Sequence, residues 1–252
     1  MPHSKSLSEI VLMARAGNIL AKVLKQLVGH ARAGVATKEL DELSQKLVLR
    51  YGAKPAFLGY GDDGGKKFPS SVCVSVNDEV VHGLPSERVL KEGDVVGLDF
   101  GVLLDGFYAD GAVTVGIGKM QPQTKKLLEV TESALKLGIG QARIGNRIGD
   151  IGYAVQTYVE KHGFSVIRQL VGHGIGRELH EAPQVPNFGK PGTGELLQEG
   201  MVIAIEPMVA MGDWHVVLSP DGWAYKTADD SISAHFEHTV AITKKGPRIL
   251  TK

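Results

Sequence analysis

The amino-acid sequence predicts an α+β fold made of two similar halves with a site between them, and three observations carry that expectation. The first is an internal repeat. Gly29-His30-Ala31-Arg32-Ala33-Gly34 matches Gly140-Gln141-Ala142-Arg143-Ile144-Gly145 at four of six positions, an offset of 111 residues. The same offset carries Gly52 onto Gly163, and Leu40, Leu43 and Val48 onto Ile151, Ala154 and Val159. The second is order: in each half, helical periodicity comes before short apolar runs bounded by turn residues. The third is a hairpin pattern over residues 94–115. A duplicated unit of helices followed by antiparallel strands gives pseudo-twofold symmetry.

The elements follow in order. Ser6-Leu7-Ser8-Glu9 is a capping-box pattern that opens a helix. Leu7, Ile10, Val11, Ala14, Leu20, Val23, Leu24 and Leu27 give it an apolar stripe, and it runs to about Gly29. A second helix starts near Thr37, shows Leu40, Leu43, Leu47 and Val48 on one face, and stops at Gly52. Residues 55–70 are rich in glycine, proline and charge and read as a loop. Val72 to Val76 and Glu79 to Val81 read as strands around an Asn77-Asp78 turn.

The hairpin comes next. Asp105-Gly106 between apolar runs is a strong turn signal. A turn centred on Leu104-Asp105 or on Asp105-Gly106 pairs residues whose numbers sum to 209 or 211. Side chains alternate along a strand, so either register puts Asp99 and Asp110 on one face. Two like charges buried together need something positive beside them, or a raised pKa.

Helices are then expected from about Pro122 to Leu137 and from about Ile148 to Lys161. Residues 166–171 read as a strand leading into Gly172-His173-Gly174-Ile175-Gly176. The glycines there leave the His173 ring approachable. This Gly-x-Gly is not a dinucleotide fingerprint, because no helix follows at the required spacing. Residues 201–205 form an apolar strand ending on Glu206-Pro207, and residues 235–242 form another with Glu237 embedded in it.

The bulk composition narrows the class. The chain has 252 residues, read as one domain over residues 1–252, and 43% apolar residues supply a core. Formal net charge is zero, which gives no electrostatic footprint for nucleic acid. Cys73 is the only cysteine, so no internal disulfide forms. The N-terminal residues read as the approach to an amphipathic helix, not as a signal peptide, and no apolar run reaches membrane-spanning length. The expectation is a cytoplasmic protein with no membrane partner.

Asp99, Asp110, His173, Glu206 and Glu237 are four carboxylates and an imidazole set in apolar or glycine-rich strands. That donor set suits two divalent ions of borderline hardness, such as Mn, Fe, Co or Zn. Bridging carboxylates would hold such ions about 3.5–4 Å apart and activate a water between them.

With these residues stand further motifs: Val80-Val81-His82-Gly83-Leu84-Pro85, Ile205-Glu206-Pro207 and Phe236-Glu237-His238-Thr239. Together they resemble the type I methionine aminopeptidases of the M24 metallopeptidases, over about Leu7 to Thr243. The resemblance implies the pita-bread fold, with helices outside an antiparallel sheet, and a metal site on the same five residues. It implies removal of the initiator methionine from nascent polypeptides whose second residue is small. Glu206 would be both ligand and general base, and His82 and His180 would hydrogen-bond the scissile peptide and the tetrahedral intermediate. Phe57, Tyr60, Cys73, Leu179 and Trp223 would line the methionine pocket, soft and apolar as a thioether requires. It implies a monomer that visits the ribosome transiently and binds no specific nucleic acid. Read without it, His82 and His180 are ordinary surface or core histidines. His3, His30, His162, His215, His235 and His238 are read as structural or surface residues.

Three features depart from the family pattern. Val81 stands where a cysteine is common, Leu179 where many relatives carry an aromatic residue, and residues 61–67 form a longer, more polar loop. Two other readings compete. Proline-specific peptidases of the same fold use the same ligands, but carry an added N-terminal domain. Non-catalytic members, which bind ribosomes or RNA, lose ligands and gain basic extensions.

Overall fold

The computed structural model describes residues 4–61 and 65–252. His3 and the centre of the 61–67 loop lie outside the described residues. Helix α1 (Leu7–His30) opens with the expected cap: the Ser6 hydroxyl accepts from the Glu9 amide at 3.3 Å, and the Glu9 carboxylate accepts from the Ser6 amide at 2.8 Å. Most of the stripe read in the sequence is buried, Ile10, Leu20, Val23, Leu24 and Leu27 among it, but at the N-terminal end Met13 is buried while Leu7 and Val11 are exposed. The reason is Gly17, where a Cβ would meet the Leu250 carbonyl oxygen at 2.2 Å, so the helix lies with that face against the C-terminal residues.

Helix α2 (Thr37–Arg50) leads to β1 (Lys54–Pro55), β2 (Cys73–Val76) and β3 (Glu79–Val81). The hairpin is β4 (Val95–Leu104) with β5 (Phe107–Gly116), in the register whose partners sum to 211. Asp105 (φ 51°) and Gly106 (φ 79°) both have positive φ, the type I′ turn that matches strand twist. Asp99 pairs with Ala112 and Gly101 with Asp110, so the two carboxylates share a face as expected.

The second half repeats the first. Helix α3 (Pro122–Gln141) extends one turn past its expected end, and α4 (Ile148–Lys161) keeps its expected bounds. The Glu39 carboxylate caps the Ala36 amide at 2.8 Å, and Asp150 caps the Arg147 amide at 2.7 Å, at the same offset as the sequence repeat. Gly34 and Gly145 share φ 91°. Strand β6 (Ser165–Val166) stands to β1 as α4 stands to α2.

The remaining strands are β7 (Val171–Gly174), β8 (Glu181–Pro186), β9 (Val202–Ile205), β10 (Met208–Ala210), β11 (Val216–Leu218), β12 (Tyr225–Thr227), β13 (Ser233–His235), β14 (His238–Thr243) and β15 (Gly246–Ile249). Two single strands read from the sequence are each divided. Residues 166–171 divide because Val166 pairs with Val209 while Val171 pairs with Pro186 in another sheet. Residues 235–242 divide at Phe236-Glu237, so Glu237 sits between β13 and β14, not inside a strand.

That break is matched across the sheet. β14 pairs with β9 and β13 pairs with β10, and one register holds on both sides. Two neighbouring segments therefore bend together, one at Glu206-Pro207 and the other at Phe236-Glu237, with Glu206 opposite Glu237. Helices α1 and α2 pack on β2, β4 and β5 in one apolar core, and α3 and α4 pack on β9, β10, β13 and β14 in another. The halves meet where β5 reaches the bend. The Glu237 amide donates to the Ala112 carbonyl at 2.9 Å, and the Thr239 hydroxyl accepts from the Asp110 amide at 2.9 Å while donating to its carbonyl at 2.8 Å. Among the described residues no helix is long and apolar enough to cross a membrane.

Candidate metal centre

The meeting of the halves brings the five proposed ligands together. Asp99 and Asp110 project from β4 and β5, His173 from β7, and Glu206 and Glu237 from the shared bend. Ligand atoms of Asp110, His173 and Glu237 all lie within 4.8 Å of one another. His173 Nε2 is 3.6 Å from Glu206 Oε1 and 4.0 Å from Asp110 Oδ2. Its Nδ1 lies 2.8 Å from the Gly174 carbonyl oxygen. A carbonyl only accepts, so Nδ1 carries the proton and Nε2 turns its lone pair towards the carboxylates.

The electrostatics describe a site built for a cation. Burial pushes Glu206 up to about 8, and burial with the neighbouring Glu206 charge pushes Asp110 up to about 7. Asp99 and Glu237 are raised well above the usual carboxylate range, by burial first and then by the other carboxylates. Among the described residues no lysine or arginine pairs with any of the four. Asp99 Oδ1 and Glu237 Oε1 are buried with no hydrogen-bond partner there. Buried acceptors of this kind are costly unless a cation meets them. The residues therefore fit divalent metal.

His235 was read as a structural or surface residue, and it is buried at the site. Its Nε2 lies 3.6 Å from Glu206 Oε2 and 4.0 Å from Glu237 Oε2 and is itself without a partner. Burial pushes its pKa down to about 3, so the ring is neutral. Its signal in the sequence was its spacing of two from Glu237, which a satisfied core histidine would share.

A cavity of about 160 Å³ opens beside the carboxylates, and every sequence-predicted site residue lines it. Its far wall is apolar. Phe68 stands edge-on to Trp223 at 5.2 Å and to Phe57 at 6.4 Å, with buried Leu179 and Cys73 completing it. Phe68 was missed because it lies in a segment read as loop. Two backbone bonds, Gly59 amide to Phe68 carbonyl at 2.9 Å and Phe68 amide to Tyr60 carbonyl at 2.8 Å, close that loop at its base. Burial raises the Cys73 thiol well above its ordinary range, helped by Asp99, so it stays protonated. His180 and His82 flank the mouth. The Tyr60 hydroxyl is 2.6 Å from His180 Nδ1. His82 follows the end of β3 with φ 60°, a strained position for a residue with a side chain.

A sequence profile of metallopeptidase family M24 matches residues 11–244. The chain belongs to metallopeptidase family M24. Within that family it is 49% identical to the methionine aminopeptidase of Clostridium perfringens, across 98% of this chain and 97% of that one. The crystal structure of methionine aminopeptidase from Thermotoga maritima superposes with a TM-score of 0.96 at 47% identity, covering all of both chains. Prolidase from Pyrococcus furiosus gives a TM-score of 0.80 at 23% identity, with this chain covering 65% of that one, a likeness of fold alone. The fold is thus the pita-bread fold, and membership of M24 makes the chain a metal-dependent peptidase.

Proposed function

We propose that the chain removes the initiator methionine from nascent polypeptides whose second residue is small. The observation that supports this most directly is the single cavity with carboxylates and an imidazole at one end and an aromatic, thiol-lined wall at the other. The full-length likeness to methionine aminopeptidases supports the same reading.

Asp99, Asp110, His173, Glu206 and Glu237 would hold two divalent ions, Mn, Co, Fe or Zn. Such ions supply Lewis-acid polarisation and a nucleophile at neutral pH. The chain's own residues do the rest. The apolar wall takes the methionine side chain and so fixes the scissile carbonyl at the mouth. Glu206, lying between His173 and His235, accepts the proton of the attacking water and returns it to the leaving amine. With the Tyr60 hydroxyl donating to Nδ1, His180 carries its proton on Nε2 and offers it to the developing oxyanion. His82, which lines the same cavity, donates a second hydrogen bond. A small second residue is required because bulk there would spoil the attack geometry beside the carboxylates.

The enzyme would act in the cytoplasm as a monomer, meeting its substrates during transient visits to the ribosome. The discriminating assay compares Met-Ala-x with x-Pro peptides and with Met-Leu-x. Cleavage of Met-Ala-x alone is expected. Preference for x-Pro, or equal kcat/KM for Met-Ala-x and Met-Leu-x, would overturn the reading.

A further inference from the structure

Behind the turn that carries Leu179 and His180 lies an ion pair that no step above uses. Lys5 and Glu181 are joined side chain to side chain, with side-chain exposures of 6% and 12%. Glu181 begins β8 and its carboxylate folds back over the turn. Oε1 accepts from the Arg177 amide at 2.7 Å and from the Glu178 amide at 3.2 Å, and Oε2 accepts from Lys5 Nζ. One carboxylate thus satisfies backbone amides of the turn and a lysine from the other end of the chain.

Lys5 is held at both ends. Its amide donates to the Gly200 carbonyl at 2.7 Å, and its stem passes so close to Gly176 that a Cβ there would meet Lys5 Cε at 2.2 Å. A second tie runs alongside: Arg177 Nη2 is 3.0 Å from Glu9 Oε1, and its guanidinium lies 4.6 Å from the centre of the Phe107 ring. Burial alone would raise Glu181, but Lys5 and the two amides outweigh it and hold the carboxyl below its ordinary value.

Burying such a pair is not a cheap route to stability, because desolvation offsets much of the attraction. Its position gives it another use. Between the clamped residues and the strand, Leu179 faces the apolar wall and His180 the cavity mouth. We infer that Lys5 and Glu181 are positioning residues that fix the 176–181 turn, and through it the placement of His180 against the scissile carbonyl. The inference rests on the proposed role of His180.

Lys5→Met removes the cation and keeps the stem, Glu181→Gln keeps the shape and removes the charge, and Lys5→Arg keeps the charge. With Met-Ala-x peptides, Lys5→Met is expected to lower kcat by roughly ten- to hundredfold, as small misplacements of a reacting group do. KM and metal content should change little, and Lys5→Arg should recover most of the rate. In a His180→Ala background the same Lys5→Met change should cost almost nothing more, because the group it positions is gone. Equal losses in both backgrounds would overturn the inference. Amide hydrogen exchange at Arg177 and Glu178 gives a reading independent of substrate: faster exchange in Lys5→Met and Glu181→Gln is expected, and unchanged protection in both would also overturn it. Failure of wild-type protein to cleave Met-Ala-x would count against the proposed function alone, leaving the exchange experiment to decide the clamp.

Discussion

His180 and Glu206 face the same cavity but are held differently, and that difference separates chemistry from ion binding. His180 is tied by Tyr60 at Nδ1, whereas Glu206 places one oxygen 3.6 Å from His173 Nε2 and the other 3.6 Å from His235 Nε2. His180→Ala should keep its metal and lose about 2.7–4 kcal/mol of transition-state stabilisation, roughly a hundredfold to a thousandfold in kcat. Glu206→Gln should lose both metal and kcat, so metal analysis beside kinetics tells them apart. Loss of metal from His180→Ala would make it a ligand. At the wall, Leu179 is only 1% exposed, so Leu179→Phe should crowd the methionine pocket. About 1 kcal/mol of overpacking would raise KM for peptides beginning with Met or norleucine roughly fivefold. Unchanged kinetic constants would make Leu179 plain core.

At the level of elements, the joint between β5 and the bend carries the geometry. Thr239 both accepts from and donates to the backbone of Asp110, deep in the protein. Thr239→Val keeps the shape and strands two buried backbone groups, each costing about 1–3 kcal/mol. Urea denaturation should move to a lower midpoint, and metal affinity should fall with it. A midpoint and affinity equal to those of the parent would show that the joint does not hold Asp110. Much of this was readable beforehand. Alternation along a strand put Asp99 and Asp110 on one face, and the 111-residue offset carried the second helix onto the fourth, where the structure adds matched caps at Ala36 and Arg147. The bend was not readable, because residues 235–242 carry no glycine or proline to break a strand at Glu237, and a change of partner leaves no mark on composition. His235 shares the face of Glu237 by alternation, but a satisfied core histidine would show the same spacing, so nothing in the sequence singled it out. Strand β8 was equally hidden, since Pro183 and Pro186 argue against a strand except at the sheet edge where it lies.

For the molecule as a whole, four buried or half-buried carboxylates with no lysine or arginine beside them among the described residues make metal a matter of stability as well as activity. Chelation should abolish hydrolysis and lower Tm, and Mn, Co or Fe should restore both. An ion at a hundred times its Kd adds about 2.7 kcal/mol to the folded state. Full activity in metal-stripped protein, or a Tm indifferent to the ion, would contradict this. The two-half plan, a site at their junction and the gathering of Asp99, Asp110, His173, Glu206 and Glu237 there were legible from repeat, alternation and carboxylates out of place. The exposed face of α1 was not, because Leu7 and Val11 fit an apolar stripe equally well until Gly17 fixes which side meets Leu250.

The junction at Asp110, Ala112, Glu237 and Thr239 has a temporal side. Asp99 and Asp110 are synthesised before Glu206 and Glu237, and the two sets are neighbours only where the bend meets the hairpin. A partly made or misdocked chain presents two carboxylates on a sheet and nothing to close around an ion. Ion capture would therefore report completion, since the residues that close around an ion come from both halves of the chain.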